Sequence, residues 1–259
     1  MADKYPQHHT MRQKIKLKIN TCIKARISAS ILCLVSVLST VSYAGDPSLL
    51  EKTTDDKVVY LTYDDGPESL YTPHLLDVLK KHQVKATFFV TGLNVETYPD
   101  VVKRAFQEGH IIANHSYAHK SARDMTGAEF KLSIEKTDSL IRHLTAQKDI
   151  LFRAPYLHIA DSNKSYLCKN KRNSMDATMV GKDWETQDPD QIIDNLMKDL
   201  KPEAVILLHD DGGGPNGTRM GTVAATDKLI PLLRAKGYRF GTAETITHWQ
   251  LKALDCPEK

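Results

Sequence analysis

Downstream of residue 57 the chain alternates between two hydrophobic rhythms. Short runs of β-branched, aromatic and aliphatic residues bounded by polar breaks predict buried strands: "VVYLTY", "KATFFVTG", "HIIANHS", "DILFRAPY", "ATMVGKDW", "AVILLHD" and "YRFGTA". Between most of them lie stretches with apolar residues three and four apart, which predict helices: "TPHLLDVLKKHQ", "YPDVVKRAFQEG", "TGAEFKLSIEKTDSLIRHLTAQ", "PDQIIDNLMKDLK" and "TVAATDKLIPLLRAKG". The third is the clearest, with Phe130, Ile134, Leu140, Ile141 and Leu144 on one side and charges elsewhere. The segment after Tyr156, "LHIADSNKSYLCKNKRNS", carries no such stripe and predicts no amphipathic helix.

Repeated strand–helix units argue for a mostly parallel sheet covered by helices. About seven strands in a chain of this length predict a single catalytic domain built as a distorted (β/α)7-8 barrel, with an open doubly wound sheet as the alternative. The glycine-rich run Asp211 to Gly217 lacks the Lys-Ser/Thr of a phosphate-binding loop and reads as a plain loop.

Composition is that of an ordinary globular protein, 41% hydrophobic and 26% charged over 259 residues. The first 44 residues stand apart. A basic stretch, the apolar "ISASILCLVSVLST" and the small residues Ser42 and Ala44 form the three-part pattern of a signal peptide over 1–44, with cleavage expected near Ala44 and a domain over 45–259. The apolar part falls short of the ~20 residues a membrane span needs, so the expected mature protein is exported, periplasmic or secreted, without a stable membrane span. Of the 35 Lys and Arg, seven lie in this leader, as does one of the 32 Asp and Glu, so the remainder carries 28 basic and 31 acidic side chains. The formal charge of +3 is therefore a property of the leader and no argument for nucleic-acid binding. Cys168 and Cys256 are the cysteines left, open to a disulfide in an oxidising compartment or to two free thiols. Neither lies in a C-x-x-C pair, which speaks against a thiolate metal site.

Parallel barrels carry their chemistry at the C-terminal ends of the strands. Here those ends hold Asp64-Asp65, His115 and His119, Arg153 and Tyr156, Asp183-Trp184, and His209-Asp210. Adjacent aspartates in a turn are common, and two histidines four apart are permissive rather than diagnostic. Together, two imidazoles and a carboxylate from another strand make a set that suits a hydrolytic Zn²⁺ with an open water position.

In these residues the chain resembles the polysaccharide deacetylases, also called the NodB-homology or carbohydrate esterase four family. The likeness covers roughly 57–246 and rests on five ordered motifs: "TYDDGP", "HSYAH", "RAPY", "KDW" and "LLHD". It implies a distorted barrel, a divalent cation such as Zn²⁺ or Co²⁺, and hydrolysis of acetyl groups from N-acetylated or O-acetylated glycans. By the resemblance, Asp65, His115 and His119 are metal ligands, Asp64 the general base and His209 the general acid. Arg153 is expected to hold Asp64 ionised and oriented. Tyr156 is expected to offer its backbone N–H to the oxyanion, with its ring walling the sugar site.

The fourth motif departs from the family pattern. Where relatives often carry a further Asp there is Val180, so Asp183 is left to support either His209 or Arg153. Trp184 is open to sugar stacking or to core filling. The expected activity is metal-dependent N-deacetylation of a chitin-like, peptidoglycan or poly-N-acetylglucosamine substrate by a monomer. A xylan-type O-acetyl esterase and a catalytically silent glycan-binding relative are the alternatives. Serine-hydrolase and zincin chemistry are disfavoured, since neither G-x-S-x-G nor H-E-x-x-H occurs.

Overall fold

The computed structural model describes residues 57–211 and 217–246. The leader expected over 1–44, residues 212–216 of the glycine-rich run and Cys256 lie outside the described residues. In chain order the elements are β1 (Val58–Asp65), α1 (Tyr71–Lys81), β2 (Thr87–Val90), α2 (Gly92–Thr97), α3 (Pro99–Gln107), β3 (Ile111–Asn114), α4 (Gly127–Thr145), α5 (Asp161–Lys169), β4 (Met179–Val180), α6 (Pro189–Met197), β5 (Ala204–His209), α7 (Met220–Ala235) and β6 (Arg239–Gly241).

Every strand pairing is parallel, in the order β3-β2-β1-β5-β4, with β6 beside the first residues of β1. The two-residue period of a strand explains how this sheet is covered on both faces. Val59, Leu61 and Tyr63 of β1 and Ala204, Ile206 and Leu208 of β5 pack outward into the core shared with the helices. Tyr60, Phe89, Ile111, Ala113 and Val205 face the other way and fill the interior with Met175, Ala243 and Ile246. Along β1 the inward row therefore runs Tyr60, Thr62, Asp64, apolar at the base and ionisable at the rim. The expected barrel is present in distorted form.

Two expectations need correction. The "DILFRAPY" segment forms no strand. Phe152 alone makes isolated parallel bridges, to Asn114 and to Ser174, and a tight 3-10 turn at Pro155–Leu157, with Tyr156 at φ 59°, ends the extended run. Conversely, the segment after Tyr156 does form a helix, α5. It buries only Asn163 and Leu167, and one of those is polar, so no apolar stripe marks it. Cys168 near its end is disulfide-bonded. Helix α2 also escaped notice, being six residues long and burying only Gly92 and Val95. The helix expected from the strongest pattern is α4, begun by a reciprocal capping box between Thr126 and Glu129. Phe130, Ile134 and Ile141 are buried on it as expected, while Leu140 and Leu144 are partly buried against the main core.

His110, just before β3, shows how the core constrains a titratable side chain. It packs edge-on against Phe88 at 5.4 Å, and its Nδ1 accepts the Ala86 N–H at 3.1 Å, which fixes the neutral tautomer. Burial, helped by the nearby Lys85 charge, lowers its pKa to about 4. The unfolded chain takes up this proton near the ordinary pKa of ~6.5, so stability is full above that and is lost as pH falls toward about 4. Between pH 7 and pH 5 the wild type should lose about 2 kcal/mol more than His110→Asn, as read from urea unfolding at the two pH values.

Candidate metal centre and active site

Asp64, at the rim of the interior row, is buried and meets Arg153. Arg153 Nη1 donates to Asp64 Oδ1 at 2.7 Å and to Thr62 Oγ1 at 2.8 Å, and its Nε donates to the Met175 carbonyl at 2.9 Å. The guanidinium lies 4.0 Å over the Phe89 ring, and the residue is wholly buried. A surface arginine is thereby ruled out. Removing one partner of such a pair leaves a buried charge unpaired, so the arrangement fixes Asp64 in place.

The chain bends at the next residue. Asp65 has φ 80°, a left-handed conformation that is costly for a non-glycine residue. Its carbonyl accepts from Asn94 Nδ2 at 2.8 Å and Thr91 Oγ1 at 3.2 Å, and these bonds hold the bend. Strand alternation alone does not separate the two carboxylates. Both reach His115, whose Nε2 lies 3.7 Å from Asp64 Oδ2 and 3.4 Å from Asp65 Oδ1. Ser116, His119 and Tyr156, close to the same spot, also have positive φ.

His115 leaves the end of β3 buried, and its Nδ1 lies 2.9 Å from the Arg153 carbonyl. A carbonyl can only accept, so Nδ1 carries the proton and Nε2 of the neutral ring presents a lone pair. His119 Nε2 stands 3.0 Å from the same Asp65 Oδ1. That oxygen is buried yet receives no well-aimed hydrogen bond. Lone pairs converging on an anionic oxygen, with the three donor atoms within 4.8 Å of one another, are what a divalent cation needs. The residues fit a metal. Burial would raise the Asp65 carboxyl, but in the metal-free protein protons on the two imidazoles and, farther off, His209 hold it well below the usual carboxylate range, standing in for the charge a cation would bring. Burial likewise opposes the charge on His119, and Asp65 more than offsets it.

His209 ends β5 in register with Asp64. Asp183 grips it twice, Oδ1 taking the ring Nδ1 at 2.7 Å and Oδ2 the backbone N–H at 2.8 Å. Thr222 Oγ1 donates to the same Oδ2 at 2.8 Å. Asp183 therefore serves His209 and not Arg153. Burial pushes the His209 pKa down, but Asp183, with Asp65 and Asp64 beyond it, raises it to about 9. Trp184 stands edge-on to the imidazole at 5.4 Å and is 42% exposed, a wall residue rather than core filling. Tyr156, 61% exposed, has its ring 4.8 Å from that of His119.

All nine expected residues except Arg153 and Asp183 line one pocket of about 480 Å³, and those two lie directly behind it. Leu157, Val180 and Leu207 give it an apolar side. Val180, the departure from the expected fourth motif, thus lines the pocket.

Three contributors were missed. Asn94 sits on the unforeseen α2. Arg219 donates to the carbonyls of Asp183 at 2.9 Å and Asp211 at 2.5 Å, and nothing in its sequence neighbourhood marks it. Asp210 belongs to the fifth motif, and its place directly after His209 was a usable signal. Its carboxylate accepts from the Gly66 N–H at 3.1 Å and from Thr72 Oγ1 at 2.7 Å, tying the turn after Asp65 to β5. Burial pushes this carboxyl up to about 7.

Comparison with known proteins agrees with this geometry. The family model for polysaccharide deacetylase matches residues 51–173. A peptidoglycan-N-acetylglucosamine deacetylase of Bacillus cereus is 38% identical over 184 residues, 71% of this chain and 66% of that protein. The crystal structure of the Bc1960 peptidoglycan N-acetylglucosamine deacetylase superposes with a TM-score of 0.70 at 36% identity, covering 75% of this chain and 89% of that one. A CE4 family pseudoenzyme from Bacillus anthracis, BA3943, superposes with a TM-score of 0.67 at 28% identity, covering 74% and 66%.

Proposed function

Because the chain belongs to the polysaccharide deacetylase family, we propose that it is a metal-dependent hydrolase that removes acetyl groups from N-acetylated sugars of a glycan and releases acetate. The observation that carries this is the convergence of Asp65, His115 and His119 on one point, flanked by Asp64 on one strand and His209 on the next. A silent relative is the contrary case, since one solved neighbour is a pseudoenzyme. Against it, the chain keeps each residue that the resemblance assigns to the base, the acid and the metal ligands. The leader supports export, which would bring the enzyme to extracytoplasmic glycans such as peptidoglycan.

A divalent cation such as Zn²⁺, held by Asp65, His115 and His119, would supply Lewis-acid charge and an acidified water. Asp64, fixed by Arg153, takes the proton of the attacking water as it adds to the acetyl carbon. The Tyr156 backbone N–H donates to the oxygen on which negative charge develops. His209, charged through its bond to Asp183, gives its proton to the sugar nitrogen as the C–N bond breaks. Val180, Leu207 and Trp184 offer the acetyl methyl an apolar wall.

Acetate release from N-acetylglucosamine oligomers, peptidoglycan fragments and acetylated xylan, with added Zn²⁺ or Co²⁺ and with chelator, tests the reading. Release from the two N-acetylated substrates is expected. Release from xylan alone would favour the O-acetyl esterase, and none from any substrate the silent relative.

A pH profile tests the acid. His209 must be protonated, so turnover should hold below about 9 and fall as pH rises through it. A cation beside Asp65 offsets part of that carboxylate's pull and moves this limb lower. Asp183→Asn removes the largest raising influence, and the alkaline limb should move down by a unit or more toward the ordinary histidine value of ~6.5. An unmoved limb would show that another group donates the proton.

A further inference from the structure

A cleft of about 430 Å³ opens beside Ile111, at the opposite end of β3 from His115. Its walls come from the chain over 147–151, the chain over 170–175 and the turn that ends at Ile246. We propose that this cleft is the seat of residues 247–255 of the same chain, with Trp249 turned into it and a disulfide between Cys256 and Cys168 tying the segment down. The inference stands apart from the deacetylase reading and needs only export of the chain.

Both ends of the segment are fixed at the rim. Ile246 is buried in one wall, and residue 247 follows it directly. Cys168 stands two residues before Asn170 of another wall, and two Cα steps span at most about 7.6 Å. Cys168 is disulfide-bonded. Of the other cysteines in the sequence, Cys22 and Cys33 lie in the expected leader, which leaves Cys256. In forming the bond the two thiols give two protons and two electrons to an oxidised disulfide carrier of the exported compartment, which leaves as a dithiol. Ten residue steps separate Ile246 from Cys256, about 15 Å as helix and about 35 Å extended. Either form reaches from one rim to the other, and the path between them runs over the cleft.

The chemistry of the segment matches the walls. Ile111, Ile150, Leu151 and Met175 give the cleft an apolar side, and the segment brings Trp249, Leu251 and Leu254. An indole carries a large apolar surface and one N–H that needs an acceptor when buried, and the asparagines at 170 and 173 stand in the wall to provide one. Arg142 and Arg172, also in the wall, are both engaged by Asp138, so they call for no outside anion. At the tie the signs are opposite: exposed Lys169 and Lys171 flank Cys168, whereas Asp255 and Glu258 flank Cys256. The wall so covered backs the catalytic base, because the Asn173 carbonyl accepts from the Phe152 N–H and the Met175 carbonyl from Arg153 Nε.

Three measurements on the mature, oxidised protein test the proposal. Digestion without reduction, read by mass spectrometry, should give one linked peptide pair holding Cys168 and Cys256. A free Cys256 thiol, or a doubled mass that halves on reduction and so puts a second copy on the cleft, would overturn it. Trp184→Phe leaves Trp249 as the one tryptophan of the sequence. Its emission should be blue-shifted and several-fold less open to acrylamide than in urea-unfolded protein, and values equal to those of the unfolded chain would contradict the seat. Trp249→Ala, made in the otherwise unaltered protein, should speed amide hydrogen exchange several-fold over 147–151 and 170–175 and leave β2 as it was. Unchanged exchange along both walls would place the indole elsewhere and end the proposal.

Discussion

Asp64→Asn is expected to lower acetate release by about 10²–10⁴-fold, the usual contribution of a positioned acid or base, while the folded protein keeps its metal. The division of labour is geometric. Asp64 Oδ1 is taken by Arg153 at 2.7 Å, whereas the oxygen facing both imidazoles belongs to Asp65. Asparagine retains the shape and an acceptor for Arg153 but cannot take a proton. It also leaves the Arg153 charge buried without its counter-ion, so stability should drop by about 3–5 kcal/mol. Activity, metal content by atomic absorption and the urea midpoint are therefore measured together. A folded variant that has lost its metal would show that Asp64 is a ligand, and the two aspartates would have to exchange roles.

His119→Ala should bring the opposite pattern, loss of the cation and with it loss of activity, in a protein of near wild-type stability. Its side chain is 31% exposed, so truncation leaves no sealed cavity, and alanine relieves none of the interior packing. Affinity should fall by more than the roughly 10–100-fold that removal of an outer-shell partner costs. Isothermal titration with Zn²⁺ reads it directly. His115 is the less informative choice, because its ring also bonds the Arg153 carbonyl at 2.9 Å and its removal disturbs the base as well as the metal.

The site was more legible in the sequence than the scaffold that carries it. Asp64, Asp65, His115 and His209 each directly follow or end a run of buried strand residues, where two-residue alternation and barrel geometry point chemistry toward one rim, and His119 lies in the bend four residues beyond His115. What eluded the sequence were contacts without a periodic signature. Helix α5 is anchored by the amide of Asn163, and α2 matters for one hydrogen bond from Asn94 to the Asp65 carbonyl. The missing fourth strand has a similar cause. "DILFRAPY" has strand composition, yet its Arg153 turns inward to serve Asp64 and the chain bends sharply at Tyr156. The partner of Asp183 could not be chosen from spacing, since both candidates lie far away in sequence. Distance decides it for His209.

The central claim is that one cation, gripped by Asp65, His115 and His119, makes this chain a deacetylase. Chelator-stripped protein titrated with Zn²⁺ while acetate release from N-acetylated oligosaccharides is followed tests it most directly. Activity should climb from background and level off at one ion per chain. Full turnover by the stripped protein, or a metal-loaded protein that releases no acetate, would contradict it.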